Sequence, residues 1–200
     1  GATTADVVAR TDLTRPTVNR LLMALAAEGV VDQDNRTGHW FPGPELYLMG
    51  SVAAERYDIG DVARESVVSL AARTGESAFL SVRRADETVC LLREEGSFPI
   101  RSFVLYEGVR FPLGVASAGL AILAFLPPGQ VDAYLRRAGD LSERWGEQHA
   151  EEPLRRRLAE TRERGYAVNP ALIVEGSWGM GAAIFDKRGE PAWALSVTGV

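Results

Sequence analysis

The chain has 200 residues, 46% hydrophobic and 24% charged, with a formal net charge of -5, which excludes intrinsic disorder and leaves enough chain for a small domain plus a medium one. One cysteine, Cys90, excludes an internal disulfide framework and a multi-cysteine zinc site, and two histidines, His39 and His149, are too few to build a metal site, so no cofactor is expected. The longest apolar run, residues 120–126, is too short for a bilayer, and residues 1–20 carry Asp6 and Asp12 without an apolar segment; the expectation is a cytoplasmic protein with no membrane span or signal peptide.

Thr4 is placed to cap a short helix over residues 5–10, with Asp6 at its positive end. Thr11, Asp12 and Leu13 break the pattern. Asp12 stands where a tight turn favours glycine, and aspartate tolerates the left-handed conformation. Thr14 then reads as a second N-cap, with Pro16 in the first turn. Val18, Leu21, Leu22 and Leu25 follow at helical spacing and predict one buried stripe. Gly29 suits the stop. Residues 30–32 and 39–41 read as two strands around a polar tip at 33–38, so the start of the chain is helix, turn, helix and wing. Pro42, Gly43 and Pro44 punctuate the chain, and a helical pattern over 45–56 predicts a linker helix.

From residue 59 the pattern is α+β. An amphipathic helix is predicted over 62–73, with Val67, Val68, Leu70 and Ala71 inside. Strands follow over 77–82, 88–93 and 100–106, then helices over 117–125, 129–138 and 151–164, then strands over 179–186 and 192–198. The short links favour antiparallel neighbours.

The chemistry-bearing signal is the second helix. In a helix-turn-helix its N-terminal residues enter the major groove. Thr14, Arg15, Thr17, Asn19, Arg20 and Met23 point outward, and residues 13–27 contain two arginines and no acid. Arginine pairs bidentately with guanine or phosphate, and asparagine reads adenine. Arg36 and Thr37 stand at the wing tip with Asn35, where backbone or minor-groove contact is expected. A short hairpin that only packs is the alternative.

These residues resemble the IclR family of bacterial transcriptional regulators. The resemblance runs through Ala5-Asp6-Val7-Val8-Ala9-Arg10-Thr11-Asp12-Leu13, Thr17-Val18-Asn19-Arg20-Leu21-Leu22 and Gly43-Pro44-Glu45-Leu46. It continues through Gly108-Val109-Arg110-Phe111-Pro112-Leu113 and Ala116-Ser117-Ala118-Gly119-Leu120-Ala121, then Gly165-Tyr166-Ala167-Val168-Asn169, Ala182-Ala183-Ile184-Phe185-Asp186 and Ala194-Leu195-Ser196-Val197-Thr198-Gly199. It implies a winged helix-turn-helix over 1–44, a linker helix over 45–57 and a GAF-like effector-binding domain over 58–200, with an antiparallel sheet flanked by helices. It also implies a helix ahead of residue 1 and one beyond the last strand, neither of which is in these 200 residues. Expected partners are a double-stranded DNA operator, a small-molecule effector and a second copy of the chain, with dimers pairing into tetramers. Repression relieved by ligand is the commoner behaviour in the family.

The same resemblance places the effector in a cup over the sheet, lined by Ile100, Phe103, Ser117, Ala118, Asn169, Ser177, Gly179, Ser196 and Thr198. The amides of Ser117 and Ala118 can receive an anion, and Ser196 and Thr198 alternate with Leu195 and Val197, so they face one side. One small-acid sensor of the family has aspartate at the position of Asn169 and cysteine at that of Gly179, so a larger and less charged ligand is expected, such as an aromatic acid. Arg110 reads as a structural ion pair, Arg155-Arg156-Arg157 as a solvated face paired with acids, Cys90 as a buried inert thiol, and His149 as part of a polar loop. No triad order, P-loop, dinucleotide glycine pattern or metal-ligand spacing appears, so an enzyme is not expected. The rival reading is a small-molecule sensor or enzyme with a degenerate DNA-binding head, supported by the acidic net charge; a third is a dimerisation module whose pocket is filled by side chains.

Overall fold

The computed structural model describes residues 1–56, 59–99 and 104–200. The chain divides into two compact units, Gly1–Asp58 and Ile59–Val200.

The first unit starts with α1 (Thr4–Ala9). Its cap is Thr3, not Thr4: the Thr3 hydroxyl accepts from the Asp6 amide and the Asp6 carboxylate accepts from the Thr3 amide, a reciprocal capping box. The Thr4 hydroxyl is used elsewhere, accepting from Trp40 Nε1 at 3.1 Å. Helix α2 (Arg15–Ala27) has Pro16 in its first turn and ends at Gly29 with φ +68°. Strands β1 (Val31–Gln33) and β2 (Trp40–Pro42) pair antiparallel into the wing, and α3 (Pro44–Arg56) follows. Asp12 does not enter the left-handed region; Ala85 and Ala171 are the non-glycine residues of the described segments that do. The core is Val18, Leu22 and Trp40, with Val7, Val8, Ala26 and Val31 against it. The predicted stripe is only half buried: Leu21 and Leu25 are 49% and 41% exposed. Residues 18 and 22 are four apart and face α1 and the wing, whereas 21 and 25 lie on the neighbouring row, which nothing in this unit covers.

The second unit is a six-stranded, wholly antiparallel sheet with strand order β5-β4-β3-β8-β7-β6. The strands are β3 (Ser77–Arg84), β4 (Glu87–Glu94), β5 (Arg110–Pro112), β6 (Ala167–Pro170), β7 (Trp178–Phe185) and β8 (Pro191–Gly199). Of the strand expected over 100–106, residues 104–106 are not in a strand and residues 100–103 lie outside the described residues; Arg110–Pro112 pairs with β4. Gly108, at φ +84°, donates its amide to the Cys90 carbonyl and brings the chain onto β4 there.

Helix α4 (Ile59–Thr74) covers one face of the sheet through Ala63, Val67 and Ala71 against Ala78 and Leu80; Val68 is 43% exposed rather than inside. On the other face lie α5 (Ser117–Ala124), α6 (Pro128–Ala138) and α8 (Glu151–Arg164), with the short α7 (Ser142–Trp145) and a 3-10 turn (Glu147–His149) before α8. All eight residues of α5 are buried, as an all-round apolar helix at the centre of a layered fold must be. It can lie close to the sheet because β7 offers Gly179 and Gly181 beneath it. A Cβ on Gly181 would stand 3.0 Å from the Ser117 carbonyl carbon and oxygen. Arg162 closes the far end of α5, donating to the carbonyls of Ala124 and Leu126, which an α-helix otherwise leaves without partners.

Candidate functional site

Two places collect the side chains on which function was predicted. The first is α2 with the wing. Thr14, Arg15, Asn19 and Arg20 are exposed at the start of α2, and Thr17 is half-buried. The Thr14 and Thr17 hydroxyls lie 3.0 Å apart and hydrogen-bond to each other, which orders the first turn in place of a side-chain cap. Arg36 and Thr37 are exposed at the wing tip. Their amides donate to Asp34 Oδ1 at 2.8 and 3.2 Å, an Asx turn whose hydrogen bonds hold the Asp34 carboxyl below its ordinary value. Among the described residues, the guanidinium groups of Arg15, Arg20 and Arg36 have no carboxylate ion-pair partner. The His39 ring lies against the Thr37 carbonyl at 3.2 Å and belongs to the wing's own packing.

The second is a cup in the other unit, between the sheet and the start of α5. It is lined by Ser117 and Ala118 from α5, Asn169 from β6, Ser177 and Gly179 from β7 and its approach, and Ser196 and Thr198 from β8. Seven of the nine expected effector residues thus meet in one cavity; Ile100 and Phe103 lie outside the described residues. Ser81, Thr88, Val104, Leu105, Phe111, Ala116 and Ile173 complete it without having been foreseen. Ser81 and Thr88 are buried hydroxyls on neighbouring strands, and their spacing in the sequence does not mark them as pocket residues. The cup holds about 460 Å³ between its walls including the mouth. Ser117 reaches into the space above Gly179: a Cβ there would stand 3.0 Å from Ser117 Oγ.

The electrostatics of the cup are set by unpaired groups rather than by charge. Asn169 is 4% exposed and donates from Nδ2 to the Val115 carbonyl at 2.9 Å. This fixes the amide, and among the described residues its Oδ1 has no partner. Ser196, 2% exposed, also has a buried Oγ without one. Helix α5 begins without a side-chain cap, so its first amides and the positive end of its dipole are available to an acceptor. An acceptor without a donor, a hydroxyl without a partner and a helix N-terminus make one small polar floor in an apolar wall. Buried polar groups left open in this way are costly unless something fills them.

The remaining candidates are structural. Arg110 pairs with Glu87 at 3.3 Å. Arg155 pairs with Glu151 and Asp132, and Arg156 with Glu152, whereas Arg157 turns inward, and burial lowers its guanidinium to about 10. Cys90 is buried, and burial pushes its thiol up to about 12. Among the described residues no cluster of three or more His, Cys, Asp or Glu could hold a metal ion, and no helix is long and apolar enough to cross a membrane.

Residues 1–35 match the IclR helix-turn-helix domain, and residues 51–200 match the family described as bacterial transcriptional regulator IclR C-terminal. The HTH-type transcriptional regulator BhcR of Paracoccus denitrificans is 33% identical over 201 residues, covering 100% of this chain and 71% of that protein. The transcriptional repressor IclR of Escherichia coli is 27% identical, covering 94% and 69%. Among solved structures, an IclR transcriptional regulator from Alicyclobacillus acidocaldarius superposes with a TM-score of 0.85 at 26% identity, covering 99% of this chain and 79% of that one. An IclR homologue from Microbacterium hydrocarbonoxydans, complexed with 4-hydroxybenzoate, has the same fold at TM-score 0.83 and 24% identity, covering 98% and 80%. With a matched family over three quarters of its length and a helix-turn-helix ahead of it, the chain belongs to the IclR family of bacterial transcriptional regulators.

Proposed function

We propose that this regulator reads operator DNA with α2 and the wing, and that a small organic acid bound in the cup relieves repression. The observation that carries the effector half is the pair of buried, partnerless polar atoms, Asn169 Oδ1 and Ser196 Oγ, facing one cavity beside the uncapped start of α5. They favour a ligand with an acceptor, such as a carboxylate, for the helix amides and an O–H or N–H donor for Asn169 Oδ1.

The DNA half rests on Arg15, Arg20 and Arg36 standing free of carboxylates, with Asn19 beside them on the exposed face. Two such heads must match half-sites about one helical turn apart, which calls for a dimer. Tyr47, Met49 and Val52 of α3, 77%, 54% and 65% exposed, supply apolar surface for one. Tetramers follow if dimers pair in turn. A regulator of this kind works in the cytoplasm and does no covalent chemistry. The effector acts by binding one arrangement of the protein better than the other.

The test uses DNA selected from a random-sequence library by the full chain. Arg15→Ala and Arg20→Ala should each weaken binding and lower the salt slope by about one. Unchanged affinity in both would remove α2 as the reading element. Calorimetric titration with 4-hydroxybenzoate, pyruvate and glyoxylate should give binding of the hydroxylated aromatic acid, lost in Asn169→Leu. Tight binding of the two small acids alone would overturn the ligand class.

A further inference from the structure

Outside the cup, one buried polar group that no part of this function uses is the imidazole of His149. It is 1% exposed, on the 3-10 turn between α7 and α8. We propose that His149 is a positioning residue of the effector cup, fixing the Asn169 amide through the Val115 carbonyl that both side chains contact. The proposal rests on the reading of the cup as the effector site, and it concerns a residue that does not line it.

The geometry is a relay of carbonyls. His149 Nδ1 lies 2.7 Å from the Trp145 carbonyl oxygen, and Nε2 lies 3.3 Å from the Val115 carbonyl oxygen. The same Val115 oxygen accepts from Asn169 Nδ2 at 2.9 Å. The Val115 carbonyl shares its peptide plane with the amide of Ala116, the residue at the start of α5. One peptide group therefore joins the imidazole, the Asn169 amide and the helix end that floors the cup. Displacing that peptide moves the oxygen that decides which way Asn169 Oδ1 points.

Donor counting makes the link sensitive to one proton. A neutral imidazole carries a single N–H, while both ring nitrogens face acceptors. The shorter contact takes the proton on Nδ1, and Nε2 then presents a lone pair to Val115. A second proton turns Nε2 into a donor to the oxygen that Asn169 uses. Contacts with the Val115, Trp145 and Gly146 backbone favour that proton. Burial opposes it, and so does the Arg157 guanidinium on α8, whose Nη1 donates to the Gln148 carbonyl beside the ring; together they hold the imidazole below its ordinary value. Arg157 is the charged side chain that acts on the ring, and the Trp145, Gly146 and Val115 backbone supplies the other contacts.

The experiment follows the Asn169 side-chain NH2 signals of the ligand-free full chain by NMR, assigned through their disappearance in Asn169→Asp, together with the His149 ring carbons. It needs no effector, so the ligand class can fail while this result stands. On lowering the pH from about 8 to about 5, the Asn169 pair should shift with the same midpoint as the His149 ring. In His149→Leu the pair should move from its wild-type position and lose that response, while His149→Gln, whose amide supplies a donor that does not titrate, should hold the pair at its low-pH position without the response. Should His149→Leu fail to fold, the wild-type titration and His149→Gln carry the test. A His149 ring that titrates while the Asn169 pair stays still overturns the proposal. So does an Asn169 pair that keeps its wild-type position and pH response in either variant. If the ring holds one protonation state until acid unfolding, the position of the pair in the variants decides.

Discussion

Gly179 and Gly181 stand two apart on β7 and face the same helix, yet they meet different atoms, and the difference decides what a methyl group would do at each. At Gly181 an added Cβ stands 3.0 Å from the Ser117 carbonyl carbon and oxygen and 3.2 Å from the Ala118 nitrogen, all backbone. Nothing there can rotate away, so Gly181→Ala should destabilise the second unit by about 1–3 kcal/mol, the usual cost of overpacking. Scanning calorimetry should show its transition lowered by several degrees; an unchanged transition would mean that α5 is free to lift. At Gly179 the nearest atom is the rotatable Ser117 hydroxyl oxygen, so Gly179→Ala should fold normally and lower effector affinity by narrowing the cup. Cys90 gives a prediction of a different kind. Its thiol ionises near the ordinary 9.0 when unfolded and near about 12 when folded. Above pH 9 the unfolded chain loses a proton that the folded chain keeps. The stabilisation is therefore complete below about pH 9 and is lost as the pH rises towards 12. Cys90→Val should flatten that alkaline loss in denaturant titrations, and in the wild type the thiol should react with a disulfide reagent only after unfolding.

At the scale of elements, α6 and the β3–β4 hairpin are joined by a two-pronged contact. Arg137 Nε and Nη2 donate to Asp86 Oδ2 and Oδ1 at 2.9 and 2.7 Å, and the Asp86 carbonyl accepts from the Leu113 amide at 3.0 Å. The Arg137 hydrogen bonds hold the Asp86 carboxyl below its ordinary 3.8. The pair is partly exposed, so a double-mutant cycle of Asp86→Asn and Arg137→Gln should give a small favourable coupling at neutral pH. Because the folded carboxyl is the stronger acid, that coupling should persist above pH 3.8 and vanish as the pH falls through the lower folded value. Neither partner announced the other in the sequence, since 51 positions separate them. The elements themselves were more legible than their contacts. Alternation marked β3, β4, β7 and β8, and helical spacing with proline starts or glycine stops marked α2, α6 and α8. What escaped were the short pieces β5, β6, α7 and the 3-10 turn, whose three or four residues are too few to show a period and are held by their neighbours. The half-exposed stripe of α2 escaped for a related reason: spacing shows which residues share a face, not what lies opposite.

For the molecule as a whole, the cup was legible because ordered signatures carried seven of its residues from distant parts of the chain to one place. The reach of Ser117 over Gly179 and the relay to His149 were not, since both depend on how α5 sits on β7. The two units also make a prediction that neither makes alone. A regulator needs its two binding reactions to be coupled, and a ligand shifts a two-state equilibrium only by its difference in affinity for the two states. Each site should then be separable from the other while the coupling is lost with either. Arg20→Ala should weaken DNA binding and leave calorimetric effector binding intact, because Arg20 is exposed on α2 and the cup belongs wholly to the other unit. Ser196→Ala removes the partnerless buried hydroxyl and adds no volume. It should fold at least as stably as the wild type, bind DNA with unchanged affinity, and lose the release of DNA on adding 4-hydroxybenzoate. Linkage requires reciprocity: the factor by which effector weakens DNA binding must equal the factor by which DNA weakens effector binding. Measuring both on the same protein should return one number. Two different numbers would mean that a third equilibrium, such as the association of dimers, sits between the cup and the DNA.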